Sequence, residues 1–132
     1  MRMWLVISMA LVGLSATMAS ADDAATKRDR QGPVTVTVTL LESSSSGIKA
    51  RVAFDTHSGS LDDIAFERAT SLRGKTGDVA PTAVEQVAGG GHHRRAVVVF
   101  PPATGASEVR IVVKNVGGIA ERVFDWPLPL AR

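Results

Sequence analysis

The sequence predicts an all-β domain, an immunoglobulin-like antiparallel β-sandwich of about seven strands, and three observations predict it. Val34-Thr35-Val36-Thr37-Val38-Thr39-Leu40 alternates β-branched apolar with β-branched polar residues at period two, the strongest strand pattern in the chain. Turn residues recur at fairly regular intervals between runs of this kind. No stretch of helical length carries an amphipathic 3.6-residue period. An up-and-down barrel is the alternative closure for the same strands.

The chain of 132 residues opens on Met1-Arg2-Met3-Trp4, continues as an apolar run from Leu5 to Thr17, and reaches Met18-Ala19-Ser20-Ala21. A basic start, an apolar run short of the ~20 residues that span a bilayer, and small residues at Ala19 and Ala21 make a secretory signal cleaved after Ala21. No cysteine follows the run, which excludes a lipoprotein anchor. The expected organisation is a signal peptide at 1–21, a flexible segment at 22–32 and a single β-sandwich domain at 33–132. The product is expected to be exported, periplasmic or secreted, with no stable membrane insertion after cleavage.

Cleavage takes Arg2 out of 15 basic side chains and none of the 13 acidic ones. So nearly balanced a charge supplies no long-range field for nucleic acid or an anionic membrane, and a nucleic-acid partner is not expected. All four methionines lie within residues 1–21 and the chain has no cysteine. Disulfides and soft sulfur ligands are therefore both excluded from the exported part, and any metal site is restricted to imidazole nitrogen and oxygen donors.

Asp22 to Gln31 is charged and lacks an apolar period, as a flexible lead-in does. After the first strand, Glu42 to Gly47 is a turn. Ile48 to His57 alternates again, with Ile48, Ala50, Val52, Phe54 and Thr56 on one face and Asp55 and His57 on the other. Leu61-Asp62-Asp63-Ile64 fits one helical turn before a weaker strand from Ala65 to Arg73, and Gly74-Lys75-Thr76-Gly77 has hairpin chemistry. Asp78 to Val87 is a further strand, marked by Pro81 as an edge or irregular one. Ala96 to Phe100 is a continuous apolar run suited to a strand buried on both sides. Val109 to Val116 and Arg122 to Trp126 complete the set. Trp126 closes the core, and its indole N–H will need an acceptor.

All three histidines fall where a strand meets a loop, in Asp55-Thr56-His57-Ser58 and in Gly89-Gly90-Gly91-His92-His93-Arg94-Arg95. In an immunoglobulin-type arrangement the second and fifth strands are antiparallel neighbours, so the two segments converge at one end of the sandwich. Asp55, His57, His92 and His93 then form a candidate site for a divalent metal, Zn(II) or Cu(II) with Ni(II) as a further fit, because such ions take three or four nitrogen and oxygen donors. Adjacent histidines on extended chain point to opposite sides, so His57 with one of the pair is the favoured set. Arg94 and Arg95 oppose a cation and favour an anion or another exported protein as partner. The alternative is a structural or protein-interaction domain in which Asp55 pairs with Arg94 or Arg95 and the cluster only fixes the loops.

Catalysis is not expected. Ser58-Gly59-Ser60 has neither the spacing nor the preceding glycine of a nucleophile elbow, and the glycine run lacks the lysine and Ser/Thr of a phosphate loop. Phe54, Phe66, Phe100, Phe124 and Trp126 sit in strand patterns, as core aromatics do.

Phe54-Asp55-Thr56-His57-Ser58, Gly89-Gly90-Gly91-His92-His93-Arg94, Val99-Phe100-Pro101 and Gly117 through Trp126 (GGIAERVFDW) together make the chain resemble a family of small exported or lipid-anchored β-domains of unassigned function. The resemblance covers most of residues 22–132. It implies a shared fold and end-loop cluster and carries no established activity. The chain departs from the pattern in having Val84 or Val87 where a tryptophan often precedes the glycine loop, and in lacking the lipid-bearing cysteine. The first removes an aromatic wall beside the histidines; the second implies a soluble member.

Overall fold

The computed structural model describes residues 25–130, and the signal segment expected over residues 1–21 lies outside them. Two antiparallel sheets form an all-β sandwich. One sheet has five strands in the order β1 (Thr26–Asp29), β2 (Val34–Ser44), β3 (Gly47–Thr56), β7 (His93–Phe100) and β6 (Ala83–Gly90). The other has four, β5 (Gly77–Val79), β4 (Thr70–Gly74), β8 (Glu108–Val116) and β9 (Ile119–Pro127). The short helix α1 (Phe66–Ala69) precedes β4.

Period-two patterning decides which side chains meet between the sheets. Val34, Val36, Val38 and Leu40 of β2 and Ile48, Ala50, Val52 and Phe54 of β3 are buried against Val109, Ile111 and Val113 of β8 and Phe124 and Trp126 of β9. Phe54 stacks on Phe66 of α1 with ring centroids 5.1 Å apart. Trp126 is 2% exposed, and its Nε1 donates to the Ala25 carbonyl at 2.9 Å, the acceptor its burial required. Val97 and Val112 fall outside the core cluster yet are also buried, each lying in an interior strand of its sheet.

Among the described residues nine strands form where about seven were expected, and each difference has a local cause. Within the segment expected to be flexible, Thr26–Asp29 pairs with β2 in the register Thr26↔Thr39 to Asp29↔Val36. Its side chains supply no apolar pattern. The preformed β2 edge supplies the ladder, with Thr26 Oγ1 on Thr39 Oγ1 at 2.9 Å and Arg28 Nε donating to Thr37 Oγ1 at 3.2 Å. The single strand expected over Asp78 to Val87 splits at Pro81, which has no N–H to give a ladder. β5 belongs to the four-stranded sheet and β6 to the five-stranded one. The strand expected from Ala65 starts only at Thr70, because α1 occupies Phe66–Ala69 and buries Phe66 and Ala69.

β3 and β7, the second and fifth of the expected strands, are antiparallel neighbours with Asp55 opposite His93. Thr56 N–H donates to the His92 carbonyl at 2.9 Å and extends that ladder by one rung. The two histidine-bearing segments therefore meet along their backbones.

Candidate functional site

The site grows from the register of β3 and β7. Ala53 and Asp55 of β3 share the outer face of the five-stranded sheet with His93 and Arg95 of β7, since Ala53 lies opposite Arg95 and Asp55 opposite His93. His93 Nδ1 is 2.5 Å from Asp55 Oδ1. An ionised carboxylate only accepts, so Nδ1 carries the proton, and in the neutral imidazole the lone pair is then on Nε2. The pair is open to water: the side chains are 74% and 46% exposed for His93 and Asp55.

Of the four residues expected to converge, the structure joins Asp55 and His93. His92 lies in the turn before β7, exposed, and contributes its backbone carbonyl. His57 lies exposed just past the end of β3. Among the described residues no three His, Cys, Asp or Glu side chains are grouped as a metal site requires. The expected pairing of Asp55 with Arg94 or Arg95 does not form either, because His93 takes the carboxylate in the cross-strand position.

Arg94 has a different occupation. Alternation along β7 turns it inward with Ala96, Val98 and Phe100, and it lies opposite the core residue Phe54. Its Nη1 donates to the carbonyls of Leu61, Asp62 and Ile64 at 3.0, 3.2 and 2.6 Å. Its guanidinium lies 5.2 Å from the Phe66 ring centroid. One side chain thus holds the loop between β3 and α1 against the start of β7.

Asp62 completes the clamp from the other side. Its Oδ1 accepts the Gly91 N–H at 2.8 Å, and Leu61 N–H donates to the Gly91 carbonyl at 2.8 Å. The Gly91 amide, then Ser60, holds the Asp62 carboxyl below the usual carboxylate range. Gly89 turns the chain at φ +84°, and a Cβ there would run into the His93 carbonyl oxygen.

A second inward arginine stands at the same end. Arg122 of β9 is 1% exposed, and it donates from Nη1 to the Val34 carbonyl at 2.8 Å and from Nη2 to the Val116 carbonyl at 2.9 Å. Asp29 Oδ1 lies 3.4 Å from Nη1, and Nε has no partner among the described residues. Burial pushes this guanidinium below the usual arginine range, against the opposing pull of Asp29. Arg122 ties β9 to β2 across the sandwich.

Asp62 and Arg122 were not singled out from the sequence, and Arg94 was read there as a partner for Asp55 or an anion, not as an inward strut. A signal for the arginines was present: counting back in twos from Phe100 and from Trp126 lands on Arg94 and Arg122. For Asp62 there was none, because its contact with Gly91 is a loop-to-loop meeting.

Concave surface is distributed unevenly. A shallow depression of about 330 Å³ lies over Ala53, Ala88 and Gly89, walled by Asp55, His93 and Arg95. A larger open cleft of about 1160 Å³ lies where β2 ends and β9 runs out, walled by Leu41, Pro102, Leu128 and Lys27. That is the opposite end of the sandwich, because β2 begins beside Thr56 and ends beside Gly47. The depression is the smaller of the two and contains the oriented histidine.

Compared with protein-family models, with curated proteins and with solved structures, the chain matches none.

Proposed function

We propose that the protein is an exported, non-catalytic interaction module in which the His, Asp and Arg side chains of the two converging segments fix the loops at one end of the sandwich. Arg94 carries this reading. A guanidinium turned inward onto three carbonyls of one loop and over an aromatic ring is a strut, and its charge is spent on holding backbone. Asp62 on the Gly91 amide and the main-chain bond from Leu61 to Gly91 serve the same loop.

A second reading, divalent metal binding, has one observation in its favour. Asp55 on Nδ1 is the outer-shell arrangement that orients a metal-bound imidazole, with Nε2 as the ligand atom. Asp55 then orients and does not ligate, and His57 or His92 has to supply a further position.

Isothermal titration with Zn(II), Cu(II) and Ni(II) at neutral pH and near pH 5 separates the two. The interaction-module reading expects no stoichiometric uptake. One-to-one binding that weakens as imidazoles protonate near ~6.5, and that disappears in His93→Ala, would transfer the assignment to the metal.

A further inference from the structure

The two outer faces of the sandwich treat charge differently. On the four-stranded sheet every strand cation faces a carboxylate. Arg73 bonds Asp78 at 2.8 Å and Glu121 at 2.8 Å, Lys114 bonds Asp78 at 2.5 Å, and Arg110 bonds Asp125 at 2.8 Å and Glu108 at 2.6 Å.

On the outer face of the five-stranded sheet the cations are Arg28, Lys49, Arg51 and Arg95, and among the described residues none has a carboxylate within 4 Å. The acids on this face are otherwise engaged or set apart. Asp55 is on His93, Glu42 lies opposite Lys49 but accepts from Ser44 Oγ, and Glu85 lies on β6 opposite Val97.

Register arranges three of these cations in a file. Lys49 and Arg51 follow each other on the outer face of β3, about 7 Å apart at the strand repeat. Arg51 lies opposite Val97 and Arg95 opposite Ala53, so the two arginines are diagonal neighbours, about 7–8 Å apart. His93 continues the file along β7 into the depression floored by Ala53, Ala88 and Gly89. Like charges so placed repel, and an anion lying along the file relieves them. On the β2 side the file is flanked by Thr35, Thr37 and Thr39, a row of half-buried hydroxyls.

We infer that this face binds an extended acidic polysaccharide, its carboxylates on Lys49, Arg51 and Arg95 and its hydroxyls toward the threonine row. The inference rests on the interaction-module reading and names its partner. The chemistry favours this polymer over two other polyanions. Single-stranded nucleic acid is held by stacking on exposed aromatic rings, and Phe54, Phe66, Phe100, Phe124 and Trp126 are all buried. An anionic bilayer is gripped by apolar side chains beside the cations, whereas the β2 residues opposite Arg51 and Ala53 are threonines, Thr39 and Thr37.

The test is binding of sodium polygalacturonate to the purified exported protein in low salt, with neutral dextran, a DNA oligonucleotide and phosphatidylglycerol vesicles as comparators. Polygalacturonate binding is expected. Raising the salt tenfold is expected to weaken it by about a hundredfold, as for roughly three released counterions. Arg51→Glu with Arg95→Glu is expected to abolish it, while Arg110→Glu on the other sheet leaves it intact. Should the double reversal unfold the domain, Arg51→Gln with Arg95→Gln is read instead, with at least a tenfold loss expected. Failure of polygalacturonate to bind, binding unchanged in these variants, or capture of DNA or vesicles alone overturns the inference. Stoichiometric metal uptake, by contrast, overturns the reading beneath it.

Discussion

Replacing Arg94 by methionine keeps most of the side-chain length and removes the guanidinium that holds the loop between β3 and α1. The loss can be worked from its contacts. Nη1 has two hydrogens to share among the Leu61, Asp62 and Ile64 carbonyls, so the contacts amount to about two charge-assisted bonds at ~1.5–3 kcal/mol each. The placement over Phe66 adds roughly 0.5–2 kcal/mol. Arg94 is only partly buried and the freed carbonyls can rehydrate, which keeps the net toward the low end, about 2–4 kcal/mol. Urea unfolding reads this directly: with a slope of about 1.5–2 kcal/mol per molar, the midpoint falls by about 1–3 M. Hydrogen exchange supplies the local readout, since the Leu61 amide on the Gly91 carbonyl should lose protection before the β3–β7 ladder does. A midpoint change below about 0.3 M with Leu61 still protected would refute the strut and with it the loop-fixing role, because that result means water replaces Arg94 without cost.

Arg122→Met should destabilise by about 2–4 kcal/mol in the same assay: two buried carbonyls lose charged donors, partly offset by relief from burying a cation. A neutral result would mean that the relief is as large as the bonds. Gly89→Ala should cost about 2 kcal/mol or more and shift the His93 backbone resonances, since φ +84° and the His93 carbonyl both resist a Cβ. Arg73, then Lys114, holds the Asp78 carboxyl well below the usual carboxylate range. A depressed folded-state value stabilises the fold above the unfolded pKa of ~3.9 and stops doing so as pH falls through the depressed value. Asp78→Asn should therefore lower the melting temperature at pH 7 and have little effect near pH 1; an equal effect at both would remove the charge from the explanation.

Much of the sandwich is legible in residues 34–56 and 96–126, because strands with one face on a core must alternate and the sequence does so. The same periodicity turns Asp55 outward beside the next strand's histidines, and the adjacency of β3 and β7 follows from the expected topology. Reading stopped short where the deciding partner was remote in sequence. β1 has no apolar pattern of its own and exists because β2 offers a free edge. Pro81 announced an irregular strand, but whether the chain continued in one sheet or crossed to the other depended on which edges were already filled.

The sequence by itself determined that this chain folds as β and that residues 22–132 carry no sulfur chemistry. Those properties follow from composition and from the two-residue period, which act locally. Only the tertiary structure decided what each charged group does. Asp55 could have met an arginine or a metal, and it meets His93 because register sets those two side chains opposite each other on one face. Arg94, one residue further on, faces inward and has become a strut for a loop about 30 residues earlier in the chain. A one-residue step reverses the face, so partner choice is settled by strand register and packing, which no local window of sequence contains.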